Sequence, residues 1–255
     1  MTASEPARRR GIALPVIFVL AAFGAFIALG TWQIERKAWK EALIADLSRR
    51  LAAEPAALPP PEQWPALTAA EDEFRRVVLA ATFEPNAEAL IYTVGSAFRS
   101  DVSGPGYWVF APARLANGRT VVLNRGFVPE GQQGLKTHMP VEGRLPVVGV
   151  MRWPEPRGWF SPADDPGRDR WFVRDHVAVA AAKGWGAVAP FYVELETPTS
   201  QANLPIAGKL TANLRNDHLQ YAITWYGLAA VLAIAFAFWL RSRRRETRQG
   251  PTDAT

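Results

Sequence analysis

The sequence predicts a membrane protein in which two transmembrane α-helices flank an α+β, strand-rich antiparallel domain, a sandwich or partly open barrel, outside the cytoplasm. Three observations carry that expectation. Two runs, residues 11–34 and 218–240, contain no Asp, Glu, Lys or Arg, and each exceeds the roughly 20 residues an α-helix needs to cross a bilayer core. The surplus of positive charge lies beyond the outer ends of those runs. Between them, short β-branched and aromatic segments are punctuated by Gly, Pro, Asn and Asp, the pattern of short strands joined by turns.

The charges set the expected orientation. The 255-residue chain carries 29 Lys and Arg against 24 Asp and Glu, a formal net charge of +5. Eight bases (Arg8, Arg9, Arg10, Arg241, Arg243, Arg244, Arg245, Arg248) and three acids lie outside residues 35–217, and eight minus three is the whole excess. The positive-inside rule then predicts cytoplasmic basic tails at 1–11 and 241–255, spans at 12–34 and 218–240, and residues 35–217 on the far side of the bilayer. A neutral middle lacks the basic face that nucleic-acid binding needs, so the expected partner is lipid and not nucleic acid. Basic residues before an apolar run are also the mark of a cleaved signal peptide. This run is longer than a usual signal core, shows no clear A-x-A site and passes through Trp32-Gln33 into Arg36-Lys37, so an uncleaved span is expected.

Beyond the first span, Trp39, Leu43, Leu47 and Leu51 recur every four residues, predicting an amphipathic helix that continues over 35–54. Residues 55–73 read as a Pro-rich connector, able to form neither helix nor central strand, with Glu71 to Glu73 as a solvated turn. The outer domain, 74–217, holds candidate strands at 74–83, 89–94, 107–115, 120–128, 141–151, 171–174 and 191–195, and one helix at 176–183 closed by Gly184. Ser103-Gly104-Pro105-Gly106 reads as a loop, and Asn117-Gly118 between two apolar strands is the clearest hairpin turn.

The chain has no cysteine, three histidines and three methionines. The outer domain must therefore fold without disulfides, and no Zn, Cu or Fe-S site is expected, His138-Met139 being adjacent and not spaced as ligands. Nucleophile elbows, H-E-x-x-H, Walker and G-x-G-x-x-G motifs are missing. Asp164-Asp165, in Pro-Ala-Asp-Asp-Pro-Gly, reads as a turn. Arg125 sits where an apolar strand is expected to end at a positive-φ Gly126, an arrangement that aims its guanidinium outward.

His218 is the sharpest signal. It stands where the second span leaves the outer surface, with Tyr221 and Trp225 three and seven residues on, near the same helical face. Imidazole is a common axial ligand of haem iron, and Gly227, Ala229 and Ala230 below it are small enough to admit a porphyrin. Trp32 and Gln33 leave the first span at the same depth. An aromatic belt with a histidine at the water boundary explains the same residues.

Three segments, Gly-Thr-Trp-Gln-Ile-Glu-Arg-Lys-Ala-Trp-Lys (30–40), Leu-Asn-Arg-Gly-Phe-Val-Pro (123–129) and Asn-Asp-His-Leu-Gln-Tyr-Ala-Ile-Thr-Trp-Tyr-Gly-Leu-Ala (216–229), resemble the signatures of the Surfeit locus protein 1 family, in the same order and with the same two-span layout. The resemblance runs from about residue 12 to 240. It implies a non-enzymatic assembly factor for haem-copper cytochrome c oxidase in the inner membrane of a bacterium, both termini cytoplasmic and residues 35–217 periplasmic. It further implies binding of haem a and help in its insertion into the oxidase core subunit, with haem a synthase as a second partner. His218 matches the haem-associated histidine, with Tyr221, Trp225 and Trp32 as its surroundings. Gly30, Gln33, Arg36 and Trp39 match the first motif, and Asn124, Arg125 and Gly126 the second, as motif or partner-contact residues. The alternative is a scaffold that stabilises an oxidase intermediate without binding haem. Phe127 stands where many relatives have tryptophan, and Gly104-Pro105-Gly106 lacks the arginine that often follows. Asp217 replaces a common asparagine, either orienting the imidazole or capping the helix.

Overall fold

The computed structural model describes residues 13–84, 87–132, 143–199 and 204–248; the basic N-terminal tail, His138-Met139 and the expected strand start at residue 141 lie outside them. The chain divides into two compact units, Met1–Leu43 with Arg215–Thr255, and Ile44–Leu214.

The first unit is a helix pair. Helix α1 (Ala13–Ala52) has 40 residues, of which those up to Leu43 belong to this unit, and α4 (His218–Arg248) has 31. At 1.5 Å per residue both outrun a hydrocarbon core of about 30 Å, and both are long and apolar enough to cross a membrane. With no hydrophobic drive between helices in lipid, their association depends on close packing and polar contacts. Gly30 allows a close approach: a Cβ there would lie 2.7 Å from the Tyr226 ring. Thr31 Oγ1 and the Tyr226 hydroxyl are 3.1 Å apart, and the Phe26 ring stacks on Trp225 at 5.8 Å. Ala222 and Ala229 are buried on the same side of α4.

The second unit is built on seven strands: β1 (Ala56–Ala57), β2 (Arg76–Phe83), β3 (Ala89–Gly95), β4 (Ser103–Leu115), β5 (Thr120–Pro129), β6 (Arg144–Arg152) and β7 (Val188–Leu195). Their order is β1-β2-β6-β7-β5-β4-β3, and a further pairing of β2 with β4 closes β2, β6, β7, β5 and β4 into a ring. All pairings are antiparallel except β1–β2 and β5–β7. The architecture is therefore a mixed, mostly antiparallel barrel-like sheet.

Alternation along the ring strands builds its interior, because successive side chains point to opposite faces. Val77, Leu79, Ala81 and Phe83 of β2 pack with Ala111 and Ala113, Val121 and Leu123, Val147 and Met151, and Ala189, Phe191, Val193 and Leu195. Trp64, from a 3-10 turn at Pro61–Ala66, joins that core, so part of the connector is ordered with Pro61 opening the turn. The opposite face of β4, β5 and β7 carries Trp108, Phe110, Val122 and Tyr192, covered by Trp171 and by Val179 of α3 (His176–Lys183). Asp175 caps that helix by accepting from Val177 and Ala178 N–H, and Gly184 ends it in the left-handed conformation. A third cluster joins Leu47, Phe74, Val150 and Leu210.

Several expectations need correction. Ser103 to Gly106 is strand, pairing with β3 and with the end of β5, since Pro105 offers only a carbonyl there and Glu130 N–H takes it at 3.1 Å. The segment 171–174 forms no strand; its backbone pairing with β3 is one parallel bridge, Ile91 to Trp171. Residues 71–73 are not merely a solvated turn, because Ala69–Asp72 form one helical turn, α2, and Glu73 pairs with Arg152 at 3.1 Å. Asn117-Gly118 does turn a hairpin: Leu115 N–H donates to Arg119 O at 2.8 Å and Gly118 has φ +77°.

Candidate functional site

The helix pair brings together residues 185 positions apart in sequence. His218 opens α4, and its Nδ1 lies 2.7 Å from Oε1 of Gln33 on α1. Gln33 is buried, at 9% exposure, and the imidazole is half-buried. The facing stripe on α1 runs Phe26, Gly30, Gln33, at helical spacing; on α4 it runs His218, Ala222, Trp225, Ala229. Trp225 thus lies on the same side of α4 as the imidazole, stacked on Phe26 and partly exposed. Tyr221 and Trp32 are more than half exposed, on the outward flanks. Ala229, expected among the small residues open to a planar ligand, is packed away at 2% exposure, whereas a Cβ on Gly227 would meet nothing within 4 Å.

The neighbours of this pair are engaged elsewhere. The Asp217 carboxylate pairs with Arg215, so it does not orient the imidazole, and its carbonyl accepts Tyr221 N–H at 3.3 Å in the first turn of α4. Lys40 Nζ donates to Arg215 O. Lys37 pairs with Glu41 at 2.7 Å, and the Arg36 guanidinium lies 3.8 Å over the Trp39 ring, an anchor suited to a bilayer interface.

The donor set suits one kind of metal group. Among the described residues no cluster of three or more His, Asp or Glu gathers, so a bare metal ion has no cage there. An iron already held by a porphyrin asks only for an axial ligand, a demand that one histidine with Nδ1 hydrogen-bonded to Gln33 is able to fit.

The second motif lies in the other unit and does different work. The strand does not end at Gly126; β5 continues to Pro129 past a bulge where Arg125 and Gly126 together stand opposite the single Val109 of β4. Gly126 has φ +129°, and a Cβ there would lie 2.4 Å from Ile206 O, so only glycine admits the segment that bonds Phe127 in both directions, at 3.1 and 2.8 Å. Asn124 Oδ1 accepts Gly126 N–H at 3.1 Å and holds the bulge. Arg125 is fully buried, correcting the outward guanidinium expected above. It pairs with Glu88, donates to Thr199 Oγ1 at 3.1 Å and lies 5.5 Å over Phe83. Burial lowers its pKa from the ordinary arginine value against the pull of Glu88. Arg125 thus uses its guanidinium inside the fold, and the buried Asn124 uses its Oδ1 there.

Sequence reasoning missed one cluster. Glu194 of β7, 1% exposed, lies 3.5 Å from Arg152 Nη1 and 3.6 Å from Arg174 Nη1. Arg174 also takes Glu155, and Arg152 spreads over Phe74 at 4.6 Å. Burial opposes both charges, but Tyr192 and Glu194 outweigh it and raise both arginine pKa values. Burial pushes the Tyr192 phenol up to about 12, against the pull of the two arginines. The available signal was a lone acid inside Phe-Tyr-Val-Glu-Leu, an otherwise apolar strand.

The pattern of the SURF1 family matches residues 20–230. Surfeit locus protein 1 of Rattus norvegicus is 34% identical over 246 residues, covering 91% of this chain and 76% of the rat protein. The Takifugu rubripes protein of the same name is 34% identical, covering 84% and 91%, and a SURF1-like protein of Monosiga brevicollis is 36% identical, covering 85% and 83%.

Proposed function

The chain belongs to the SURF1 family, the assembly factors of cytochrome c oxidase, and from that premise we propose that it holds haem a transiently through His218 and assists its transfer to the oxidase core subunit. The observation that carries this is the His218–Gln33 contact of 2.7 Å, which fixes an imidazole at the mouth of a helix pair by one of its two nitrogens. Haem a, when bound, supplies an iron with an open axial position and a broad apolar ring. His218 would supply the nitrogen that holds the iron, with Tyr221, exposed three residues on, and Trp225, which stacks on Phe26, as its aromatic neighbours along α4. A single protein ligand suits handover, because a second would slow release. The strand-rich unit supplies the surface for the oxidase subunit or for haem a synthase. It acts by binding and not by catalysis, in an inner membrane with both termini cytoplasmic and residues 35–217 periplasmic, the orientation that the flanking arginines favour.

The test is to purify the full chain after co-expression with a haem a pathway and record visible spectra. His218→Ala is expected to lower haem occupancy on the order of tenfold or more, as loss of an axial ligand should. Residues 35–217 alone should lose haem yet keep partner binding. Equal occupancy in wild type and His218→Ala removes His218 as the ligand, and no haem in either favours the haem-free scaffold.

A further inference from the structure

We infer that Gln33 is the positioning residue for His218: its amide oxygen fixes the imidazole as the Nδ1–H tautomer and so leaves Nε2 as the nitrogen offered to haem iron. This deepens the proposed function and rests on it only for the ligand, not for the tautomer. An amide oxygen only accepts, so a 2.7 Å contact from Nδ1 to Oε1 requires the proton on Nδ1. A neutral imidazole with Nδ1 protonated carries its lone pair on Nε2.

The amide can impose this because its own place is set. Gln33 is buried, one turn from Gly30, which packs closely against the Tyr226 ring, and two residues from Thr31, which meets the Tyr226 hydroxyl. The charged groups that compete for an imidazole are occupied: Asp217 by Arg215, Lys37 by Glu41, and Lys40 by Arg215 O. Partners that hold the second nitrogen of a ligating histidine orient the ring and tune its basicity. A carboxylate in this role strengthens the ligand; a neutral amide orients it while adding less basicity, which fits a carrier that must let go. The first and third motifs, far apart in sequence, are thus two halves of one device.

The tautomer is read without haem. The ¹⁵N-labelled full chain in lipid nanodiscs, at alkaline pH with the rings neutral, gives the His218 ring signals by difference from His218→Ala. Wild type should show Nδ1 protonated and Nε2 bare. Gln33→Leu should shift His218 toward the Nε2–H form, and Gln33→Glu, whose carboxylate also only accepts, should retain Nδ1–H. Titration of the same proteins with haem a should then show Gln33→Leu weakened about 10- to 100-fold, the usual effect of losing such a partner. Gln33→Glu should bind with a lowered iron midpoint potential. An Nε2–H wild type, or a tautomer unchanged in Gln33→Leu, overturns the inference. A tautomer that shifts as expected in proteins that bind no haem supports the positioning role and overturns the haem reading instead.

Discussion

Glu194 is an acid in a strand whose other residues from Phe191 onward are all buried, and its place depends on two cations drawn from different segments. Removing one partner of a buried ion cluster leaves the others uncompensated, at a cost of about 3–5 kcal/mol. Glu194→Gln, which keeps shape and discards charge between Arg152 and Arg174, is expected to destabilise the domain by that amount in denaturant titration. His176 gives a second residue-scale expectation. Its ring is fully buried in the first turn of α3, Nε2 meets Ala189 O at 2.9 Å, and burial lowers its pKa below 6.5. The unfolded chain then binds the proton more readily than the folded one. Stability is full above pH ~6.5 and falls as pH drops below it, and His176→Gln should flatten that part of the curve in thermal melts. Neither residue stood out in the sequence for function, since a buried histidine and a lone strand acid signal packing as readily as chemistry. Arg125 did stand out, but its burial follows from a bulge that local pattern does not disclose.

At the scale of elements, the helix at His176–Lys183 was legible to the residue, because its Asp cap and terminal Gly are written in the chain. The every-fourth-residue series on α1 was misleading in part. Each step of four advances 400°, so the series drifts 40° a step and Trp39 stands about 120° from Leu51. Accordingly Leu47 and Leu51 pack into the third cluster, while Trp39 is half-exposed beneath Arg36. Gly30 is where the helix pair is most vulnerable. Gly30→Val would drive a branched side chain into the Tyr226 ring and cost about 1–3 kcal/mol as overpacking. Melts of the full chain in nanodiscs should show it, with Gly24→Val, where a Cβ meets nothing within 4 Å, unchanged.

For the whole molecule, two spans and a strand-rich domain could be read from hydropathy and turn residues, because both are local signals. Ring closure could not. It rests on Ala81, Thr82 and Phe83 meeting Leu115, Arg114 and Ala113, and on β6 and β7 coming between strands that precede them in the chain; nothing in the local alternation specifies either. The closure bears on how such a protein lives beside its copies. An unpaired strand edge is a template on which another chain adds, and tethering to a membrane concentrates identical chains in two dimensions. Here the ring strands have neighbours on both sides, β1 is two residues long, and the outer side of β3 is met by Trp171, whose carbonyl takes Tyr92 N–H at 2.9 Å. A domain without disulfides can thus crowd a bilayer surface while presenting little backbone on which a fibril could start.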